Sequence, residues 1–425
     1  MRSVAARIAS RVRSLGGSAY LVTIVSLLTF IRPITHVRLA TFRSERIGHF
    51  ITDTDLALAL LNRLRDEDGP RHLYLFVMPD YVCNEQLRLM YMRALRTLPD
   101  VRVLDCRTSW LARRIVTPTR LLTSRAQRHR SLVSYFCGSR DPGGIDACGY
   151  RGSARPYLSF TGDEEARGWR ELRALGLTEG DRFVCLHIRD GAYLRTTLTG
   201  RDWAYHDYRN PDPSTYVPVV HRLIARGFVV VRMGRVTDTA LPINDPAFID
   251  YANWGGRNDL LDLMLYSHAA LAIAGSASGI DQMAFAFGTP TVVTNLIPFD
   301  DPRFATPLSV AIPCLLREIS TGELIPFSRM MRNRFGASWR YADAGLAPAY
   351  NTSEQIWAAV EEALTRIAGE WPDEPSDVEL QNRFWHWAES QNVHAQVSEG
   401  PWTANYHRAY MGAVFVRENA DILLS

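Results

Sequence analysis

From residue 37 onward the sequence alternates short runs rich in β-branched and aromatic residues with longer stretches of helical periodicity, in two successive series. Strand, helix, strand is the pattern of a parallel sheet, because parallel neighbours need a long crossover rather than a tight turn. In the first series Val37–Phe42, Leu73–Met78 and Val101–Leu104 read as strands, and Asp55–Arg65 and Glu85–Leu98 as helices. The stretch 107–160 is basic and rich in Ser and Gly, and reads as mostly loop. The second series opens with a helix at Asp163–Leu175. Strands follow at Phe183–Ile188, Phe228–Arg232, Leu271–Ala274 and Thr291–Thr294, with helices at Ser214–Arg226, Asp259–Tyr266 and Ile280–Phe287. Ser353–Ile367 reads as a further helix, capped by Asn351 or Thr352. At 425 residues the chain exceeds what one hydrophobic core holds together. The expectation is therefore an α/β protein in four parts: a helical segment over 1–36, a Rossmann-like domain over 37–160, a second over 161–350, and C-terminal helices over 351–425. Packing of those last helices back onto the first domain is one arrangement open to them.

All 48 Lys+Arg residues are arginine. Without a lysine amine, neither Schiff-base chemistry nor the lysine-dependent phosphate loop of ordinary NTPases is available. A net charge of +3 gives no reason to expect nucleic acid as a partner. The six cysteines (Cys83, Cys106, Cys137, Cys148, Cys185 and Cys314) form no C-x-x-C pair and read as reduced, mostly buried thiols of a cytoplasmic protein. The histidines show no metal-ligand spacing, so no metal site is expected.

Residues 1–44 hold seven arginines and no Asp or Glu. Val4, Ile8, Val12 and Leu15 share one helical face, and Ala19–Ile31 is an uncharged, mostly apolar run. The window is short for a membrane span, and Arg32-Pro33 makes a poor signal cleavage site. A helix lying on anionic lipid is the reading that fits best, with a span and an ordinary buried helix as alternatives.

Four segments lie where a strand gives way to a turn, the edge at which open α/β sheets bind ligands. Gly48 and His49 follow the first strand, with Asp53 nearby, and supply a close backbone approach and a group suited to proton transfer. His187, Arg189, Asp190 and Tyr193 follow the strand at 183; a guanidinium there can grip a diphosphate bidentately. Arg232, Gly234 and Arg235 end the next strand and suggest an anion near that turn. Gly275, Ser276, Ser278 and Gly279 join strand to helix through small residues able to cradle phosphate at a helix N-terminus. Asp53-Thr54-Asp55 has the letters of a D-x-D motif but reads as a helix cap.

Taken together these segments resemble the glycosyltransferases of bacterial surface-polysaccharide gene clusters. The resemblance rests on Arg46–His49, His187–Asp190 with Tyr208-Arg209-Asn210, Arg232–Gly234 with Ile249-Asp250-Tyr251, and Gly275–Gly279 with Phe287–Pro290. A more distant similarity is to lipopolysaccharide heptosyltransferases. Their proposed base lies where His49 falls, but the Asp and His of their D-S-G-x-x-H donor loop are absent here, since Ala277-Ser278-Gly279 is followed by Gln282. The His-Ile-Arg element is similar to the H-x-R-R-G-D motif of certain fucosyltransferases, with one of the two arginines present.

The resemblance implies a GT-B fold, two Rossmann-like domains facing a cleft, and metal-independent transfer of a sugar without a cofactor. The donor would be a nucleotide-sugar and the acceptor a glycan or lipid-linked glycan, with the enzyme peripheral at the cytoplasmic face of the membrane. Arg189 would neutralise the leaving diphosphate, and His49 or Asp53 would take the acceptor's proton. The alternatives are a nucleotide-sugar epimerase or hydrolase of similar fold, and a non-catalytic glycan-binding protein.

Overall fold

The computed structural model describes residues 33–68, 72–125, 156–197, 202–276, 278–297, 309–332, 337–390 and 409–424, with Gly200 and isolated positions between 23 and 31. The chain divides into two compact units, Met1–Gly144 and Ile145–Ser425.

The first unit holds three parallel strands, β1 (His36–Thr41), β2 (His72–Met78) and β3 (Val101–Asp105), in the order 1-2-3. Helices α1 (Ile47–Asp68), α2 (Glu85–Arg96) and α3 (Trp110–Arg125) accompany them. Two expectations need correction. The helix expected from Asp55 begins at Ile47, so Gly48 and His49 lie in its first turn, and Asp53-Thr54-Asp55 lies inside it rather than capping it. The buried set Phe50, Ile51, Ala57, Leu58 and Leu61 explains this: helical spacing extends back to the start, interrupted to the eye by Gly48 and the threonines. Asp55 is buried and accepts a hydrogen bond from Tyr91 Oη at 2.6 Å. The basic stretch after residue 107, expected as loop, contains α3. Its narrow apolar stripe buries Ala112 against Val77 and Cys106, with Ile115 and Val116 packed alongside.

The second unit is built on a seven-stranded sheet in the order β12-β9-β8-β7-β4-β5-β6, every pairing parallel. The strands are β4 (Phe183–His187), β5 (Val229–Met233), β6 (Phe248–Ile249), β7 (Leu271–Ala274), β8 (Thr291–Leu296), β9 (Val310–Pro313) and β12 (Tyr410–Met411). β10 (Leu315–Glu318) and β11 (Leu346–Ala349) form a separate antiparallel pair. Strands β4, β7, β8 and β9 are buried at every position, which is why they read as continuous apolar runs.

Helix α4 (Gly162–Ala174) precedes β4, α5 (Ala192–Thr197) follows it, and α6 (Val217–Ala225) leads into β5. Helix α7 (Asp259–His268) precedes β7, and the six-residue α8 (Gln282–Phe287) joins β7 to β8. The short helices α9 (Phe327–Arg332) and α10 (Ser338–Asp343) come before β11, and α11 (Ser353–Ala368) after it. Thr352 caps α11 in a reciprocal box with Gln355. Asn351 instead is buried: its Oδ1 accepts the Asn295 backbone N–H at 2.5 Å, and its own backbone N–H donates to Asn295 Oδ1 at 2.6 Å. Ile356, Trp357 and Val360, with Phe384, Trp385, Met411 and Phe415 from farther along, belong to the core of this second unit.

The strand order carries the functional consequence. From β4 the chain builds β5 and β6 on one side of the sheet, then crosses to lay β7, β8 and β9 on the other. The reversal leaves a crevice at the carboxyl ends of β4 and β7, the topological switch point at which such sheets bind ligands.

Most of the expected N-terminal membrane helix lies outside the described residues. Leu27, Phe30 and Ile34 are described and exposed. Among the described residues no helix is long and apolar enough to cross a membrane.

Candidate functional site

At the switch point β4 ends in His187 and runs into Ile188 and Arg189, while β7 runs into Gly275 and Ser276. The Gly275 N–H donates to the His187 carbonyl at 2.7 Å and ties the two strand ends together. A Cβ at position 275 would lie 2.9 Å from Tyr216 Oη and 3.0 Å from that carbonyl, so the approach requires glycine. Ser276 follows at φ 138°, a conformation that a side-chain-bearing residue adopts only under constraint. Its side chain is fully buried and its Oγ has no hydrogen-bond partner among the described residues. A buried hydroxyl left unmade costs about 1–3 kcal/mol, so a strained serine with an open hydroxyl marks a place built for something other than packing.

The loop then folds over the end of β4. The Ser278 N–H donates to Asp281 Oδ2 at 2.9 Å, and Asp281 Oδ1 pairs with His187 Nδ1 at 3.0 Å. Both side chains are buried. A carboxylate only accepts, so Nδ1 carries the hydrogen and Nε2 is the basic nitrogen of His187. The following helix, α8, has only six residues, so the helix-dipole cradle expected at this loop is weak.

Arg189 is 7% exposed and donates to the His206 carbonyl at 3.2 Å and to Asn210 Oδ1. It pairs with no carboxylate among the described residues. Burial, and after it the neighbouring Arg209 guanidinium, pull its pKa down to about 10, with Tyr208, Asp207 and Asp190 opposing the shift. Arg209 is half-buried, its Nε has no partner, and burial depresses its pKa too, with Tyr208 and Asp281 opposing the shift. Arg189 is thus held by neutral carbonyl and amide oxygens within electrostatic reach of Arg209, and neither guanidinium forms a salt bridge with a carboxylate among the described residues.

The other expected residues take other places. Asp190 accepts the backbone N–H groups of Ala192 and Asp238, each at 3.0 Å, so it shapes two turns. Tyr193 is half-buried on α5, Gly279 is half-buried in the 278–281 turn, and Arg235 is exposed. Arg232, expected near a ligand, is sealed at 1% exposure on the same sheet; its closest carboxylate is Asp250 at 3.6 Å, and burial lowers its pKa. Gly234 sits at φ 148°, where a Cβ would press on Ala252 at 3.2 Å.

In the first unit, Gly48 is buried and His49 Nδ1 lies 3.8 Å from Asp53 Oδ2, one helical turn on and beyond hydrogen-bond reach. Asp53 is shared with Arg43 at 3.5 Å.

The switch point therefore collects His187, Arg189, Gly275, Ser276 and Ser278 from the sequence reading and adds Arg209, Asn210 and Asp281. Arg209 and Asn210 stand in the Tyr208-Arg209-Asn210 element that carried the resemblance. Asp281 gave no local signal, since its partner His187 is 94 residues away.

No family model matches the chain, and no curated protein matches it either. Among solved structures it is similar to a glycosyl transferase family 9 protein from Veillonella parvula, at 13% identity and a TM-score of 0.45, over 78% of this chain and 98% of that one. It is also similar to the E. coli ADP-heptose LPS heptosyltransferase II, at 13% identity and a TM-score of 0.34, over 60% and 84% of the two chains. A third is the E. coli heptosyltransferase WaaC with ADP, at 12% identity and a TM-score of 0.27, over 65% and 91%. At these identities no substrate passes from them to this chain.

Proposed function

We propose that this chain is a glycosyltransferase whose second unit binds the diphosphate of a nucleotide-sugar at the β4–β7 switch point. The observation that carries the reading is Arg189, buried and hydrogen-bonded to the His206 carbonyl and Asn210 Oδ1 without a carboxylate salt bridge among the described residues, with Arg209 near enough to lower its pKa. Desolvating cations without counter-charge is costly, and an incoming dianion removes that cost. The open Ser276 hydroxyl and its loop offer further hydrogen bonds to the same anion. Preorganised donors of this kind stabilise negative charge growing on a departing diphosphate, which is the usual largest catalytic contribution.

In this reading the first unit receives the acceptor, a glycan or lipid-linked glycan, and His49 or Asp53 accepts its hydroxyl proton without a bound metal. The exposed Leu27, Phe30 and Ile34, close to the arginine-rich N-terminus, favour attachment to an anionic membrane surface at the cytoplasmic face. A second reading has an observation of its own. The His187–Asp281 pair presents Nε2 as a base beside the anion site, and such a pair activates water as readily as a sugar hydroxyl. That would make the chain a nucleotide-sugar hydrolase.

The test is to incubate the protein with UDP-, GDP-, ADP- and CMP-sugars and measure nucleotide release with and without lipid-linked glycan extracts. Release that depends on acceptor supports the transferase; release without acceptor supports the hydrolase. No release from any donor under either condition contradicts both.

A further inference from the structure

The 3-10 segment Ala204–Arg209, which carries Arg209 and whose His206 carbonyl holds Arg189, also carries an aromatic cluster. Tyr205 and His206 have ring centroids 3.9 Å apart, and the Trp203 ring lies within 10° of parallel to His206 at 6.2 Å. Trp339, on α10, meets Tyr205 edge-on at 6.2 Å. The arrangement is fixed from behind. Ser338 Oγ donates to the Ala204 carbonyl at 2.9 Å and accepts the Tyr208 N–H at 3.1 Å, while Tyr208 packs on Tyr341 at 5.0 Å. Despite this bracing Trp339 remains 55% exposed, and Trp203 and Tyr205 are only half-buried. Large rings held rigid yet left partly in water retain unspent apolar contact area, and rigidity lowers the entropy cost of using it.

Charge and rings are carried on one short piece of backbone. A 3-10 helix rises roughly 2 Å per residue. The run from Trp203 to Arg209 therefore spans about the length of a nucleotide, with Trp203 at one end, Arg209 at the other and Arg189 hydrogen-bonded to the His206 carbonyl between them. A ligand that places a dianion against Arg189 and Arg209 has its remaining bulk within reach of the rings. A planar base is the group such rings bind best, through π-faces that every base possesses.

We infer that Trp203, Tyr205 and Trp339 form a stacking platform for the base of a nucleoside diphosphate whose diphosphate is held by Arg189 and Arg209. The inference rests on the anion-site reading above and adds the ligand's other half. Because stacking tolerates any base, the platform supplies affinity and leaves base selectivity to other contacts.

The test is calorimetric titration of the full chain with two kinds of probe: inorganic pyrophosphate, which lacks a base, and ADP, GDP, UDP and CDP. The variants are Arg189→Ala, Trp339→Ala and Trp339→Phe; Trp339 is exposed, so its truncation spares the core. The inference predicts that at least one nucleotide binds more tightly than pyrophosphate. Trp339→Ala should remove about tenfold of that nucleotide's affinity, roughly one stacked base, leave pyrophosphate unchanged, and be rescued in part by Trp339→Phe. If pyrophosphate binding depends on Arg189 but Trp339→Ala leaves nucleotide affinity intact, or weakens both probes equally, the platform is wrong and the anion site stands. If neither probe responds to Arg189→Ala, the anion-site reading fails and the platform fails with it.

Discussion

In the first unit the arginines near the strand ends are matched. Arg88 pairs with Asp105, both buried; Arg107 holds Glu85 through two contacts of 2.8 and 2.5 Å and the Asp80 carbonyl through two more; Arg113 donates to the Cys106 carbonyl at 2.6 Å. In the second unit Arg189 and Arg209 form no salt bridge with a carboxylate among the described residues; Asp207 and Asp190 act on Arg189, and Asp281 on Arg209, only at a distance, and burial lowers the pKa of each. The two histidine–aspartate pairs differ as well. His49 and Asp53 stand 3.8 Å apart, with Arg43 competing for the carboxylate. His187 and Asp281 are buried at 3.0 Å, and the second carboxylate oxygen is taken up by the Ser278 N–H. The same residue types at equivalent edges of parallel sheets thus serve different ends. A buried arginine paired with a buried carboxylate, as Arg88 is with Asp105, cements a fold, whereas one held only by neutral groups, as Arg189 is, keeps a charge that an anion can still match.

The largest expected effect is a double dissociation between the two kinds of arginine. Arg88→Ala leaves Asp105 buried without its counter-charge and should lower stability by about 3–5 kcal/mol, read by denaturant unfolding, with pyrophosphate affinity unchanged. Arg189→Ala should weaken pyrophosphate about a hundredfold while leaving stability unchanged or improved, since it removes a desolvated charge. A loss of stability in Arg189→Ala matching that of Arg88→Ala would erase the distinction.

Arg209→Ala is expected to cost less, about tenfold in pyrophosphate affinity, because one guanidinium remains. With the like charge gone, Arg189 should hold its proton to higher pH. An equal or larger loss than in Arg189→Ala would make Arg209 the principal anion contact.

The pH dependence follows from the depressed pKa of Arg189. Its folded value of about 10 lies below the ordinary guanidinium value, so the charged form costs folding energy at all lower pH, and that cost is relieved as pH rises through about 10. Anion affinity runs the opposite way and should fall as pH rises through about 10, earlier than an ordinary guanidinium would allow. Bound pyrophosphate favours the charged form, so binding near pH 10 should take up protons, visible as a calorimetric heat that varies with the buffer. Affinity flat to pH 11 would show that Arg189 is not desolvated as described.

The smallest expected effect lies back in the first unit. The Arg107–Glu85 pair is substantially exposed, and Arg107→Ala should change stability by less than about 1 kcal/mol.

Much of the sheet was legible because buried parallel strands are uninterrupted apolar runs, as at Phe183–His187 and Thr291–Leu296. Helices were less so where their buried face is narrow. The start of α1 is hidden by Gly48 and threonines, and α3 by arginines around a stripe of small and branched residues. At the site, Arg189 and the Gly275–Ser276 turn could be read from their place at strand ends. Asp190 could not be told from a ligand contact, because an acid after a strand caps a turn with the same letters. Arg209 lies in a 3-10 turn that has no periodicity to announce it, and Asp281 acquires its meaning only when the sheet brings His187 to it.

The central claim is that the second unit's switch point is a nucleoside-diphosphate site, and titrating the wild-type protein and Arg189→Ala with ADP, GDP, UDP and CDP at low salt and neutral pH tests it most directly. The account predicts saturable binding of at least one of the four to the wild type and its loss in the variant. Absence of binding by all four, or binding that survives Arg189→Ala undiminished, would contradict it.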